Sequence, residues 1–154
     1  MNQYEEKLKR FILDNNIKAE HLSFEQSCHS VDDAAKAVNK GPGDFVKNVC
    51  MIDSHGNLIV AIVKGEDRAS TTRVGDALNS ERPRIAKPDE ILEKTGYPCG
   101  GTPSFGYQAK FLIDSKIMEK RIVYSGGGSE NSLVKISTKE LQKANEGKIV
   151  KIRK

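Results

Sequence analysis

The chain has 154 residues, 37% of them hydrophobic and 30% charged, with a net charge of +4 and no tryptophan. That length suits one domain with a proper core, and the mild basicity permits an anionic partner without requiring one. Three cysteines far apart, Cys28, Cys50 and Cys99, form no CxxC pair and argue against a zinc site or a disulfide framework. The sequence predicts no signal peptide and no membrane span, and its cysteine usage fits a reducing cytoplasm.

In chain order, Tyr4, Leu8, Phe11 and Ile12 recur at helical spacing and predict an amphipathic helix over 4–15. His21-Leu22-Ser23-Phe24 reads as a short strand. Ser30-Val31-Asp32-Asp33 resembles a capping box with Asp in place of Glu, and Ala34 to Val38 continues that helix until Gly41-Pro42-Gly43 breaks it. Two β-rich runs, 48–52 and 58–63, flank the turn Asp53-Ser54-His55-Gly56-Asn57 and predict a largely buried hairpin. Residues 70–78 and 88–94 read as helices, the second with Pro88 in its first turn, and Arg84-Ile85-Ala86 as a brief strand between them. Strands are predicted at 110–113, 121–124 and 133–136, a helix from Thr138, and an edge strand over 148–152. Hairpins mixed with short helices predict an α+β fold with a mixed, curled sheet, here taken as one domain spanning 1–154.

The densest local signal is Gly96 to Gly106, which holds four glycines and two prolines. Such a segment is neither a helix nor a central strand. It is either a ligand loop with bare peptide groups or a tight structural turn. Lys47, at the start of a hydrophobic run, is either an ordinary strand-end lysine or a cation for a phosphate or a developing oxyanion. His29, beside Ser30, either belongs to a helix cap or approaches a site. His21 and His55 stand apart from it, and no histidine has metal-ligand spacing. GxSxG, HExxH and P-loop patterns are absent, and Gly126-Gly127-Gly128 lacks dinucleotide-fingerprint spacing.

Several features occur in order: Ser30 to Ala35, Val46-Lys47-Asn48, Arg84-Ile85-Ala86, Glu90-Ile91-Leu92, Gly96-Tyr97, Gly100 to Gly106, Asp114 and Ser125 to Gly128. In that order the sequence resembles the YbaK/prolyl-tRNA-synthetase-associated domain family from about residue 20 to the C-terminus. The resemblance implies an α+β fold with a mixed, strongly curved, barrel-like central sheet flanked by short helices. It also implies a free-standing editing domain that hydrolyses the ester between a wrong amino acid and the terminal adenosine of tRNA. The edited residue would be a small one, such as alanine or cysteine on tRNA for proline.

Carried over residue by residue, the resemblance makes Lys47, Gly100, Gly101 and Thr102 catalytic. It assigns substrate contacts to Ser30, Asn48, Pro103, Ser104, Phe105, Gly106 and Gly127. Neither metal nor cofactor is implied, and the partners would be the tRNA acceptor end and an aminoacyl-tRNA synthetase. The loop departs from the family at Ser104, where proline is usual, and at Tyr107, where histidine is frequent. Those departures leave a non-catalytic tRNA- or synthetase-binding module as the alternative function. Hydrolysis of another small aminoacyl ester or a nucleotide-linked compound is a third reading.

Overall fold

The computed structural model describes every residue except Met1, Gln26 and His29. The expectation for His29 therefore lies outside the described residues. The chain opens with α1 (Gln3–Asp14), whose first turn is capped by the Asn2 side chain accepting from Glu5 N at 2.9 Å. Strand β1 (Ala19–Ser23) follows. Helix α2 (Val31–Val38) starts at Ser30, whose hydroxyl accepts from Asp33 N at 3.0 Å. It ends at Asn39 in the left-handed conformation, φ 55°.

A short 3-10 turn over Pro42–Asp44 feeds β2 (Val46–Ile52), which pairs in antiparallel register with β3 (Leu58–Lys64). All of β3 is buried, as a near-continuous apolar run in a central strand should be. Then come α3 (Thr71–Ala77), β4 (Arg84–Ile85) and α4 (Pro88–Thr95). Pro88 occupies the first turn, and the Glu90 carboxylate accepts from Lys87 N at 2.9 Å and from both arms of Arg84. The C-terminal part adds β5 (Lys110–Asp114), β6 (Ile122–Gly126), β7 (Ser132–Ser137), α5 (Thr138–Asn145) and β8 (Lys148–Val150). A 3-10 segment at Ser115–Glu119, unmarked in the sequence pattern, links β5 to β6.

These strands form two sheets. One has three strands in the order β1-β7-β6, all antiparallel. The other has five in the order β4-β2-β3-β5-β8, antiparallel from β4 to β3 and parallel from β3 to β8. The mixed α+β character matches the sequence reading. The barrel-like closure does not: the sheets stay open, and among the described residues a single bridge between Phe45 and Tyr124 joins β2's approach to β6. One bridge cannot substitute for a hydrogen-bonded ladder along both edges.

The main core packs Leu8 and Ile12 of α1 against Val60, Ile62, Ile113, Val134 and Phe105. A second cluster, including Met51, Val63 and Ile152, covers the other face of the five-stranded sheet. A third gathers Cys28, Ala34, Phe45, Tyr124 and Leu133 where the two sheets meet.

Candidate functional site

The junction of the two sheets leaves a cleft of about 200 Å³. One wall is apolar and comes from α2 and the sheet ends: Val31, Ala34, Phe45, Tyr124 and Leu133. The opposite wall is polar and carries Lys47, Asn48, Gly100, Gly101, Thr102 and Ser125. Ser30, the cap of α2, borders the same space.

The polar wall is built around Asn48. Its amide nitrogen donates to Thr102 O at 2.9 Å and to Ser125 Oγ at 3.2 Å. Its amide oxygen accepts from Ser104 Oγ at 2.6 Å, and the two serine hydroxyls lie 2.6 Å apart. This network ties β2, β6 and the glycine-rich loop together at one point. Buried polar groups satisfied this fully specify one geometry. From below, the Asn145 side chain of α5 donates to Ser104 O at 3.0 Å.

The loop itself enters a 3-10 turn over Cys99–Gly101. Gly101 N donates to Pro98 O at 3.0 Å, and Thr102 Oγ1 donates to Pro98 O at 3.0 Å. The N–H groups of Gly100 and Thr102 make no backbone or side-chain hydrogen bond among the described residues. The expected peptide donors therefore divide. Gly100 and Thr102 offer free N–H groups, whereas that of Gly101 is engaged.

Gly101 has a different reason to be glycine. A Cβ there would collide with the backbone of Gly128 and Ser129. The same backbone-to-backbone packing explains Gly126, where a Cβ would strike Thr102 O.

Other assignments from the resemblance fall outside the cleft. Phe105 is 1% exposed and stacks on Phe11 with ring centroids 6.1 Å apart, so it is a core residue. Ser104 is fully buried beneath the wall and acts through Asn48 and Ser125. The Pro103 carbonyl accepts from Tyr107 OH at 2.6 Å. Gly106 takes φ 98° and faces Phe11, away from the cleft. Gly127 is buried with its carbonyl 2.8 Å from His21 Nε2, and a Cβ there would lie 2.5 Å from Leu133 N. None of these five borders the cleft, whereas Lys47, Asn48, Ser30, Gly100, Gly101 and Thr102 all do.

Lys47 is half-buried and has no hydrogen-bond or ion-pair partner among the described residues. Burial lowers its pKa, the nearby Arg68 lowers it further, and Asp67 only partly opposes them. Asp67 is held instead by Lys116 at 3.4 Å, which also lies 3.8 Å from Glu66. Strand alternation puts Lys47 on the sheet face with Val49 and Met51, and Asn48 on the face with Val46 and Cys50. Both residues border the cleft, although their side chains leave opposite faces of β2.

A half-buried cation with no ion-pair contact among the described residues is suited to an anionic ligand. The two buried thiols offer no activated nucleophile: burial and Cys99 push Cys50 up to about 12, and burial and Asp33 raise Cys28. The cleft hydroxyls of Ser125 and Thr102 bond to Asn48, Ser104 and a carbonyl rather than to a titratable base. Among the described residues no cluster of His, Cys, Asp and Glu is placed to hold a metal ion. What remains is a cation, two free N–H groups and an apolar wall. Such a set can bind an anionic ester and polarise its carbonyl.

The sequence reading missed Ser125 as a site residue and missed the apolar wall. Ser125 did carry a signal, a hydroxyl at the end of a β-run just before three glycines. The apolar wall carried none, because Val31, Phe45, Tyr124 and Leu133 come from four separate segments.

The aminoacyl-tRNA editing domain matches residues 25–144, and the chain belongs to that family. The protein is similar to the uncharacterized protein YwhH of Bacillus subtilis (strain 168), with 25% identity over 87% of this chain and 86% of that one. It is also similar to a proline–tRNA ligase of Syntrophus aciditrophicus (strain SB), 24% identical over 79% of this chain but only 20% of the ligase. Among solved structures, one proposed as a trans-editing enzyme for prolyl tRNA synthetase superimposes with a TM-score of 0.92. It is 20% identical over all of this chain and 99% of the other, and so speaks for the fold. Among the described residues no helix is long and apolar enough to cross a membrane.

Proposed function

We propose that this protein is a free-standing deacylase that acts in trans on mischarged aminoacyl-tRNA. The observation that carries the reading is the cleft itself. Lys47, whose ammonium has no ion-pair partner among the described residues, borders one space with Gly100 and Thr102, whose N–H groups are free, and with a set of apolar residues. In the reaction, water adds to the ester carbonyl and the bond to the terminal ribose oxygen breaks. The amino acid leaves, and the ribose oxygen takes a proton. An aminoacyl ester is already activated, so positioning and oxyanion stabilisation suffice without a protein nucleophile.

In this reading Gly100 and Thr102 donate to the oxyanion. Lys47 meets the terminal phosphate or shares the oxyanion's charge, and Asn48 fixes the wall between them. The apolar wall receives the amino-acid side chain. A small residue such as alanine or cysteine, on tRNA for proline, is the substrate this wall favours. Discrimination by a methylene is worth only about 1–3 kcal/mol, which is why a separate sieve is useful after charging. The tRNA partner is engaged at its acceptor end, and an aminoacyl-tRNA synthetase supplies the mischarged substrate. The setting is cytoplasmic.

The test is release of labelled amino acid from tRNA for proline charged with alanine, cysteine, serine, threonine or proline. Loss of one non-cognate amino acid, with proline spared, is the expected result. Salt-sensitive tRNA binding with no release from any member selects the binding-module reading instead. Turnover of a free small ester, uninhibited by tRNA, points to the third.

A further inference from the structure

Helix α1 lies outside the segment that matches the editing domain, yet it reaches the cleft's foundations. Its contact is an acid. Glu5 shares a helix face with Leu8 and Ile12 and is only 5% exposed. A buried carboxylate is costly unless its oxygens are satisfied. Here Ser23 Oγ of β1 donates to one oxygen at 2.5 Å, and Ser129 Oγ donates to the other at 2.7 Å. Burial alone would raise the Glu5 pKa, but these two hydroxyls and the charge of His21 outweigh it and hold it below the ordinary glutamate value.

Ser129 sits in the turn between β6 and β7. Its hydroxyl also lies 2.8 Å from Ser132 Oγ and accepts from Asn131 N at 3.1 Å. This turn is the surface on which the cleft loop rests. Gly128 N donates to Gly101 O at 2.8 Å. The backbones at Gly101 and Ser129, and at Gly126 and Thr102, are too close to admit a Cβ between them. On the turn's other side, a Cβ at Gly128 would lie 2.9 Å from Tyr4 O of α1. The contacts thus run from Glu5 through Ser129 to the backbone that flanks the free N–H groups at Gly100 and Thr102.

We infer that Glu5 is a positioning residue for the cleft, holding the 126–129 turn through Ser129 and thereby aiming the peptide donors of the 100–102 loop. The inference rests on the deacylase reading for its kinetic consequence, but the mechanical link stands on the contacts alone. Ser23 supplies the control: its hydroxyl binds the same carboxylate from β1 and, among the described residues, has no hydrogen bond to the 126–129 turn.

The experiment compares Glu5→Ala, Glu5→Gln, Ser129→Ala, Ser23→Ala and the Glu5→Ala/Ser129→Ala double variant. Each is read by kcat and KM for deacylation, by thermal midpoint, and by amide hydrogen exchange at Gly100 and Thr102. Glu5→Ala and Ser129→Ala lower kcat by about tenfold with KM unchanged, and speed exchange at both amides. The double variant is no slower than Glu5→Ala, because the two act through one contact. Glu5→Gln, which keeps an acceptor at the same reach, restores most of kcat. Ser23→Ala lowers the thermal midpoint and leaves kcat in place. The inference is overturned if kcat simply tracks thermal midpoint across the series, or if exchange at Gly100 and Thr102 is the same in all variants. A wild-type protein that hydrolyses no aminoacyl-tRNA defeats the deacylase reading instead, and the exchange data still decide whether Glu5 holds the loop.

Discussion

Two adjacent stretches of the glycine-rich segment, 100–102 and 103–106, have opposite duties. The first borders the cleft and leaves two peptide N–H groups free. The second turns inward, where Ser104 joins the Asn48 network, Phe105 fills the core and Gly106 reverses the chain beside Phe11. Glycine and proline density marks a place where the backbone is used closely. It does not say which side of that backbone meets a ligand.

Substitutions in each half sharpen the contrast. Gly101→Ala has the largest expected effect, because the new Cβ would meet the backbone of Gly128 and Ser129, which has no flexible side chain to yield. Deacylation falls by about 100-fold or more as the loop lifts off the turn, and the thermal midpoint drops with it. Phe105→Ala empties a core position stacked on Phe11 and costs about 3–5 kcal/mol in denaturant unfolding. Below its transition the variant keeps its affinity for substrate analogues.

Lys47→Met separates function from stability. The fold lowers the lysine pKa by burial and by Arg68, so it disfavours the charged form. Removing that charge therefore leaves the thermal midpoint unchanged or raised, while deacylation falls by about 100-fold. The sign also sets a pH limb: any step needing the ammonium fades as pH rises through a folded pKa below 10.5. A lowered midpoint with full activity would make Lys47 an ordinary strand-end lysine. Tyr107→Phe has the smallest effect, about 1 kcal/mol in unfolding, from the lost bond to Pro103 O, with kcat unchanged.

Much of the fold was legible because local chemistry and tertiary structure agree. The Ser30 cap, the Pro88 helix start and the 53–57 turn each sit where side-chain chemistry puts them. Sheet closure was not legible, since it depends on how β6 approaches β2, and the bridge between the sheets involves Phe45 and Tyr124, far apart in sequence.

Motif order singles out Lys47, Asn48 and Gly100 to Thr102, and these residues border the cleft. The inward turn at Pro103 was not, because Ser104 and Phe105 are drawn in by partners on β2, β6 and α1. Glu5 did leave a trace. With Leu8 and Ile12 it falls on one helical face, so a carboxylate stands on an apolar stripe and demands a partner.

The central claim is that the 100–102 half of the loop, and not the 103–106 half, meets the aminoacyl ester. The direct measurement is amide NMR of the protein titrated with a non-hydrolysable 3′-aminoacylamino analogue of the tRNA terminal adenosine. The account predicts that Gly100 and Thr102 N–H signals move downfield on saturation, while Phe105 and Gly106 stay in place and Lys47→Met weakens the titration. Saturable binding that moves Phe105 and Gly106 and leaves Gly100 and Thr102 unchanged would contradict it.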